Sequence, residues 1–383
     1  MSVTAAQGFR AAGVPAGLKS TGAPDVAVVV NDGPTQSAAA VFTSNRCKAN
    51  PVLWSEEAIK GGVAKAVAIN SGGANCYTGA EGFAITHQTA ELVAERLGVG
   101  AAQVQVCSTG LIGLLNDRDA LLGGVGSAIE ALSADAGHTA ATAIMTTDSV
   151  SKEAVSHGDG WTVGGMAKGA GMLAPALATM LVVITTDADV DSVTVDAALR
   201  AATARTFDRL DSDGCQSTND TVLLMASGAS GVTPEAAAFT DAVTAVCLDL
   251  SMQLLADAEG ADHEIAIEVV GAASEADAVE VGRSVARSNL FKCAIFGKDP
   301  NWGRILASVG TTEAAFDPED LDVALNGVWV CRNSGPGESP DTIDLTDRAV
   351  SVTIDLKSGN QSGTIWTNDL TQAYVHENSA YSS

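Results

Sequence analysis

Lys168-Gly169-Ala170-Gly171-Met172-Leu173-Ala174-Pro175-Ala176-Leu177-Ala178-Thr179-Met180-Leu181 carries more information about fold and chemistry than any other part of the chain. Glycines at 169 and 171 and a proline at 175 make the approach irregular. Met180 to Ile184 is a short apolar run that predicts a strand buried on both faces. Thr179 therefore stands at a loop-to-strand junction near mid-chain. That position suits a threonine that cleaves the peptide bond before it and then serves as an N-terminal nucleophile, because the freed α-amine can act as base for its own hydroxyl. A threonine that merely opens a strand has the same signature, since a β-branched side chain fits a pleated surface.

Working outward, strand and helix signals alternate along the whole chain and predict a mixed α/β architecture. Val26 to Val30, Ala64 to Ile69 and Val104 to Cys107 read as buried strands. Ile265, Ile267 and Val269 fall on one face of a half-buried strand, as do Val350, Val352, Ile354 and Leu356. The clearest helix runs from Pro234 to about Asp257, with Thr233 as N-cap and Phe239, Val243, Val246, Leu250 and Leu254 on one stripe. Phe83, Ala90, Val93 and Leu97 mark a second helix ending at Gly98, and a third begins after Ser274 with Asp277 placed as capping-box partner.

The 383 residues, 46% hydrophobic and 17% charged, describe a globular protein able to bury a large core. No Pro/Ser-rich linker marks a boundary, which favours one large unit or two interlocked halves. Twenty-one basic against 46 acidic residues give a net charge of −25 without a basic cluster, and this argues against nucleic acid or anionic membrane as partner. The cysteines at 47, 76, 107, 215, 247, 293 and 331 form no Cys-x-x-Cys pair and are odd in number, so a reducing compartment, the cytoplasm, is expected. Met1 to Lys19 has no basic start followed by a continuous apolar stretch, and the run around Leu177 to Ile184 is too short to span a bilayer.

The 168–181 segment resembles the self-processing signature of the ornithine acetyltransferases of arginine biosynthesis, a glycine-rich loop ending in Ala-Thr-Met-Leu. Further blocks are similar to that family in the same order: Gly8 to Val14, Asn70-Ser71-Gly72-Gly73-Ala74-Asn75, Ser108-Thr109-Gly110-Leu111-Ile112-Gly113 and Met145-Thr146-Thr147-Asp148. Beyond the threonine come Asp213-Gly214 with Ser217 to Thr221, Glu259-Gly260-Ala261, Asn301-Trp302-Gly303-Arg304-Ile305, and the tail from Asp369 to Ser383. The resemblance implies an α/β fold with β-sheets sandwiched between helical layers, of the self-processing kind related in logic to N-terminal nucleophile hydrolases. It also implies cleavage at Ala178-Thr179 into an α chain, 1–178, and a β chain, 179–383, that stay interlocked and assemble as α2β2.

Acyl transfer needs a nucleophile, a base, an oxyanion site and a pocket. Thr179 is the expected nucleophile, and its freed α-amine, with an unperturbed pKa of about 7.7 to 8.0, the base. A Thr-Gly pair after a strand can turn a hydroxyl or an N–H toward a developing oxyanion. The resemblance assigns that role to Thr109 and Gly110. It likewise makes Thr146, Lys168, Thr179, Glu259, Asn378 and Ser383 substrate contacts. The chemistry fits, because an amino acid such as ornithine presents a carboxylate, an α-amine and a side-chain ammonium, which call for a cation, a carboxylate and neutral hydrogen-bonding groups.

Ala174, Ala176, Ser149 and the terminal Ser383 depart from the residues common in that family and bear on pocket detail. The histidines at 87, 138, 157, 263 and 376 lack metal-ligand spacing. Residues 164 to 171 contain neither Gly-x-Gly-x-x-Gly nor a phosphate-loop Gly-Lys-Ser/Thr, and Trp302 reads as a loop anchor. The expected reaction moves acetyl from N2-acetylornithine to glutamate through an ester on Thr179, with no metal or organic cofactor. Acetyl-CoA is a possible additional donor. One alternative is a self-processed aminopeptidase or amidase with water as acceptor; another is a non-catalytic binding protein in which Thr179 is only a strand residue.

Overall fold

The computed structural model describes residues 2–173 and 180–380, so the expectations for Ala178, Thr179 and Ser383 lie outside the described residues. Two sheets form the centre. One takes Phe9–Val14, Val26–Asn31, Ala66–Asn70 and Val104–Ser108 in that spatial order, with only the last pair parallel. The other runs Ser37–Phe42, Thr221–Ala226, Leu181–Thr186, Thr162–Lys168, Lys152–His157, and its only parallel pair is Leu181–Thr186 with Thr221–Ala226.

Strand periodicity explains how these sheets stack. Ala27 and Val29 face Met166, Leu181, Val183, Leu223 and Met225 across the space between the sheets. The alternate residues Val26, Val28 and Val30 face outward onto Ile85, Ala90 and Val93 of helix Gly79–Leu97 and onto Leu121 and Val125 of helix Arg118–Glu130. On the opposite outer face, Val182, Ile184, Val222 and Leu224 meet helices Ser192–Arg205 and Ala236–Ala256. The result is helix, sheet, sheet, helix, with successive strand residues going to opposite cores. Each fully buried Val or Leu contributes about 1.5–3 kcal/mol, so the continuous apolar run after residue 180 is what such a strand requires.

A third sheet, in the order Gly335–Pro336, Val328–Arg332, Asp322–Leu325, Ala349–Asp355, Glu264–Ala272, Gln361–Asn368, lies wholly C-terminal to residue 180. Ile265, Ile267, Val269, Val350, Val352 and Ile354 are buried on its inner face, as their alternation predicts, against helices Glu275–Ala286 and Asn289–Phe296. Trp302 opens helix Trp302–Val309 and packs on this core.

Local corrections concern helix ends. The long helix begins at Ala236 with Glu235 in the N-cap position, two residues after the expected Thr233, and no side chain caps it. Its apolar stripe is buried as expected, and although the helix is long and apolar enough to cross a membrane, half of it is inside the protein. Phe83 is exposed rather than core-facing. Gly98 ends its helix in the left-handed region, and Ser274 caps the third helix by accepting from the Asp277 amide at 3.1 Å.

Candidate active site

Strand and helix ends deliver the site residues to one place. Thr109 and Gly110 follow strand Val104–Ser108, Lys168 is the last residue of strand Thr162–Lys168, Glu259 follows helix Ala236–Ala256, and Asn378 lies on helix Gln372–Ala380. Together with Thr146 they line a cavity of about 110 Å3, joined there by Thr147, Gly171, Met172, Asp213, Cys215 and Tyr374. All six expected site residues that fall within the described residues are therefore brought together.

The Thr-Gly corner is built by backbone packing. Gly110 has φ +126, and a Cβ there would meet the backbone of Gly73 at 3.0 Å. Only glycine fits both constraints. Thr109 N–H donates to the Asn70 carbonyl at 2.9 Å, and the Asn219 side-chain amide donates to the carbonyls of Ala74 (2.6 Å) and Ser108 (2.8 Å). Three sequence blocks, 70–75, 108–113 and 217–221, are thus one hydrogen-bonded unit.

Lys168 lies at the end of a strand, ahead of the stretch whose Gly169, Gly171 and Pro175 predict an irregular approach. It is paired in the sheet with Leu181 and is 1% exposed, and its Nζ donates to Thr109 Oγ1 at 3.2 Å. The threonine hydroxyl accepts here, which leaves its own proton to be donated into the cavity. Burial lowers the Lys168 pKa, Asp148 partly restores it, and Lys152 lowers it again. The irregular backbone begins one residue later, at Gly169 with φ +153.

Asp148 holds this corner. Oδ1 accepts from Lys152 Nζ and from Gly169 N–H, both at 2.6 Å, and Oδ2 accepts from Thr146 N–H at 3.0 Å. Lys152 also donates to Asp257 at 2.6 Å. Burial pushes the Asp148 carboxyl up, but Lys168, Lys152 and the Gly169 N–H outweigh it and hold it below the usual carboxylate range. Sequence reading missed Lys152, a lysine with 0% side-chain exposure that carried no motif signal.

The acidic side is equally ordered. Glu259 N–H donates to Ala170 O at 2.9 Å, and Asn378 Nδ2 donates to Glu259 Oε2 at 3.1 Å. Glu259 is half-buried. A Cβ on Gly260 would lie 2.2 Å from the Tyr374 amide, so this glycine admits the helix that carries Asn378. Asp213 and Tyr374 lay inside blocks quoted above yet showed no role by residue type alone.

The model of the ArgJ family matches residues 10–383. This chain belongs to the ArgJ family. The arginine biosynthesis bifunctional proteins ArgJ of Streptomyces avermitilis and Streptomyces coelicolor are 64% and 63% identical to it, each over 100% of both chains. A crystal structure of ornithine acetyltransferase complexed with ornithine from Mycobacterium tuberculosis is 52% identical, covering 47% of this chain and 96% of that one with a TM-score of 0.45. The resemblance stated from the motifs is borne out. In this ArgJ-family chain a hydroxyl beside a glycine amide, an ammonium and a carboxylate with a neutral amide surround one small cavity, a set suited to holding an amino acid and stabilising an oxyanion.

Proposed function

We propose that this ArgJ-family protein transfers acetyl from N2-acetyl-L-ornithine to L-glutamate through an ester on Thr179, after cleavage at Ala178-Thr179 into chains 1–178 and 179–383. The observation that carries the reading is the convergence of Thr109, Gly110, Thr146, Lys168, Glu259 and Asn378 on one cavity. The position of residue 180 supports it: Met180 N–H donates to Asp220 Oδ1 at 3.0 Å, which fixes the amide joined to Thr179.

In the first half-reaction the Thr179 hydroxyl adds to the acetyl carbonyl while its α-amine takes the proton. The oxyanion is received by Thr109 and Gly110, and ornithine leaves with the proton returned to its α-amine. Glutamate then reverses these steps and departs as N-acetylglutamate. Lys168 binds carboxylate, whereas Glu259 with Asn378 binds ammonium. No cofactor enters this scheme; acetyl-CoA would act only as an alternative donor of the same acetyl ester. The pieces would form an α2β2 assembly in the cytoplasm.

Intact mass under denaturing conditions, with N-terminal sequencing, should give two chains, the second beginning Thr179-Met180-Leu181. Initial rates with both substrates varied should give parallel lines. An uncut chain with full activity, or acetylornithine hydrolysis indifferent to glutamate, would overturn the proposal.

A further inference from the structure

The active-site cavity has a neighbour. A second cavity, of about 200 Å3, shares Asp213, Glu259 and Tyr374 with the first and continues to Ser212, Arg287, Lys292 and Asp369. The oxyanion corner, Thr109 and Gly110, lines only the first. A substrate whose α-nitrogen is at that corner therefore extends its side chain toward the shared wall.

Most charges in the second cavity are already matched. Arg287 pairs with Asp211 Oδ2 at 2.7 Å, and Asp369 receives His263 Nδ1 at 2.7 Å together with the amides of Asp262 and His263. Two groups differ. Asp213 Oδ1 is buried without a hydrogen-bond partner. Lys292, also buried, donates to the Ser212 carbonyl and the Thr367 hydroxyl and has no carboxylate within ion-pair distance among the described residues. An orphaned carboxyl oxygen and a cation without a carboxylate thus stand beside the shared wall, where both would be costly unless a ligand used them.

The proposed reaction, on which this inference rests, asks a single site to take two side chains of opposite charge: an ammonium on ornithine and a carboxylate on glutamate. We propose that Asp213 is the specificity residue that reconciles them, receiving the ammonium as a carboxylate beside Glu259 and meeting the substrate carboxylate as a neutral acid, with Lys292 behind it. The proton comes from solvent on glutamate binding and returns there when the product leaves. Burial pushes the Asp213 carboxyl up to about 6, opposed by Lys292 and the Met172 and Cys215 amides and assisted by Glu259. Both protonation states are thus within reach near neutrality. Tyr374 is the remaining titratable group on the shared wall, and it is raised to about 12 by burial and by Asp213 and Glu259, so it stays neutral.

The test is titration calorimetry of the purified full-length protein with glutamate and with ornithine, at pH 7, in buffers of different ionisation enthalpy. A carboxyl with pKa near 6 is about nine-tenths ionised at pH 7, so glutamate binding should take up about 0.9 proton and ornithine binding close to none. Glutamate affinity should fall about tenfold per pH unit above 7, and the Asp213→Asn variant should lose both the uptake and the pH dependence. Equal proton uptake with both ligands, or uptake that persists in Asp213→Asn, overturns the role of Asp213. Acetyl transfer is assayed on the same preparation. Transfer that persists with no differential uptake removes this inference alone, whereas absence of transfer removes the functional reading and this inference with it.

Discussion

Replacing Asp148 by alanine tests whether the site is held by a buried charge network. The carboxylate has 0% side-chain exposure, as does Lys152, and its two oxygens accept from Lys152, Gly169 and Thr146. Alanine leaves Lys152 with Asp257 as its one remaining carboxylate and removes the counter-charge that supports Lys168. Breaking a buried pair by deleting one partner costs about 3–5 kcal/mol. At roughly 2.1 cal/mol/K per residue, a chain of 383 residues has an unfolding entropy of about 0.8 kcal/mol/K, so the melting temperature should fall by about 4–6 °C. Because the folded Asp148 pKa is depressed, its contribution is present above the unfolded value of about 3.9 and disappears as pH falls through the folded one; wild type and variant should converge in acid. Activity has the opposite sign. The Lys168 pKa is already lowered by burial, and without Asp148 it falls further, so the ammonium is lost as pH rises and the Asp148→Ala variant should gain an activity decline on the alkaline side. Differential scanning calorimetry and the pH profile of acetyl transfer measure the two effects. A melting temperature within 1 °C of wild type at pH 7, with an unchanged pH profile, would refute the network's role.

Three further outcomes follow from single positions. Gly110→Ala should abolish transfer or lower kcat at least a hundredfold, because the new methyl meets Gly73 backbone at 3.0 Å in a left-handed conformation; near-normal kcat would count against the corner as oxyanion site. Asn378→Ala should raise the KM for acetylornithine several-fold with little change in kcat, since it frees Glu259 without touching the oxyanion corner, and a kcat-only effect would contradict this placement. Burial raises the Asp220 carboxyl well above the usual range, so the stability it allows is full below the unfolded value of about 3.9 and is lost as pH rises from there through the folded pKa; Asp220→Asn should gain melting temperature relative to wild type as pH is raised from about 4 to 8, and no such gain would reverse that reading.

The strands named from the sequence were legible because the two-sided ones are mainly apolar and the one-sided ones alternate. Val26–Asn31 is buried throughout, whereas Ile265, Ile267 and Val269 face one core. Helix starts were less legible, since Thr233 and Pro234 form the expected cap pattern yet the chain turns helical only at Ala236. In the site, motif position located Thr109, Gly110, Thr146, Lys168, Glu259 and Asn378 without showing why they meet. Residue type misplaced Lys168, because a buried lysine is tolerated only through partners distant in sequence: Thr109, 59 residues away, and the charge of Asp148. Asp213 was invisible for the same reason, as its importance lies in an oxygen without a partner and in a cation, Lys292, contributed by the distant helix Asn289–Phe296.

The sheet order also makes the proposed cut between residues 178 and 179 compatible with one folded body. The five-stranded sheet takes three strands from before the cut, Ser37–Phe42, Lys152–His157 and Thr162–Lys168, and two from after it, and it interleaves them. Leu181–Thr186 is hydrogen-bonded on one edge to Thr162–Lys168 and on the other to Thr221–Ala226, with Lys168 paired to Leu181. Separating the pieces would expose the inner apolar face of that strand, Leu181 and Val183, which packs on Ala27 and Val29, along with the backbone edge it shares with Thr162–Lys168, so non-covalent contacts suffice to hold the pieces together. The site divides in the same way. Thr109, Gly110, Thr146 and Lys168 precede the cut, while Glu259 and Asn378 follow it, and all six line one cavity. Neither proposed piece holds both the proposed oxyanion corner and the carboxylate proposed to bind ammonium, so each piece expressed alone should be inactive, and activity should return only when the two are refolded together into the shared sheet.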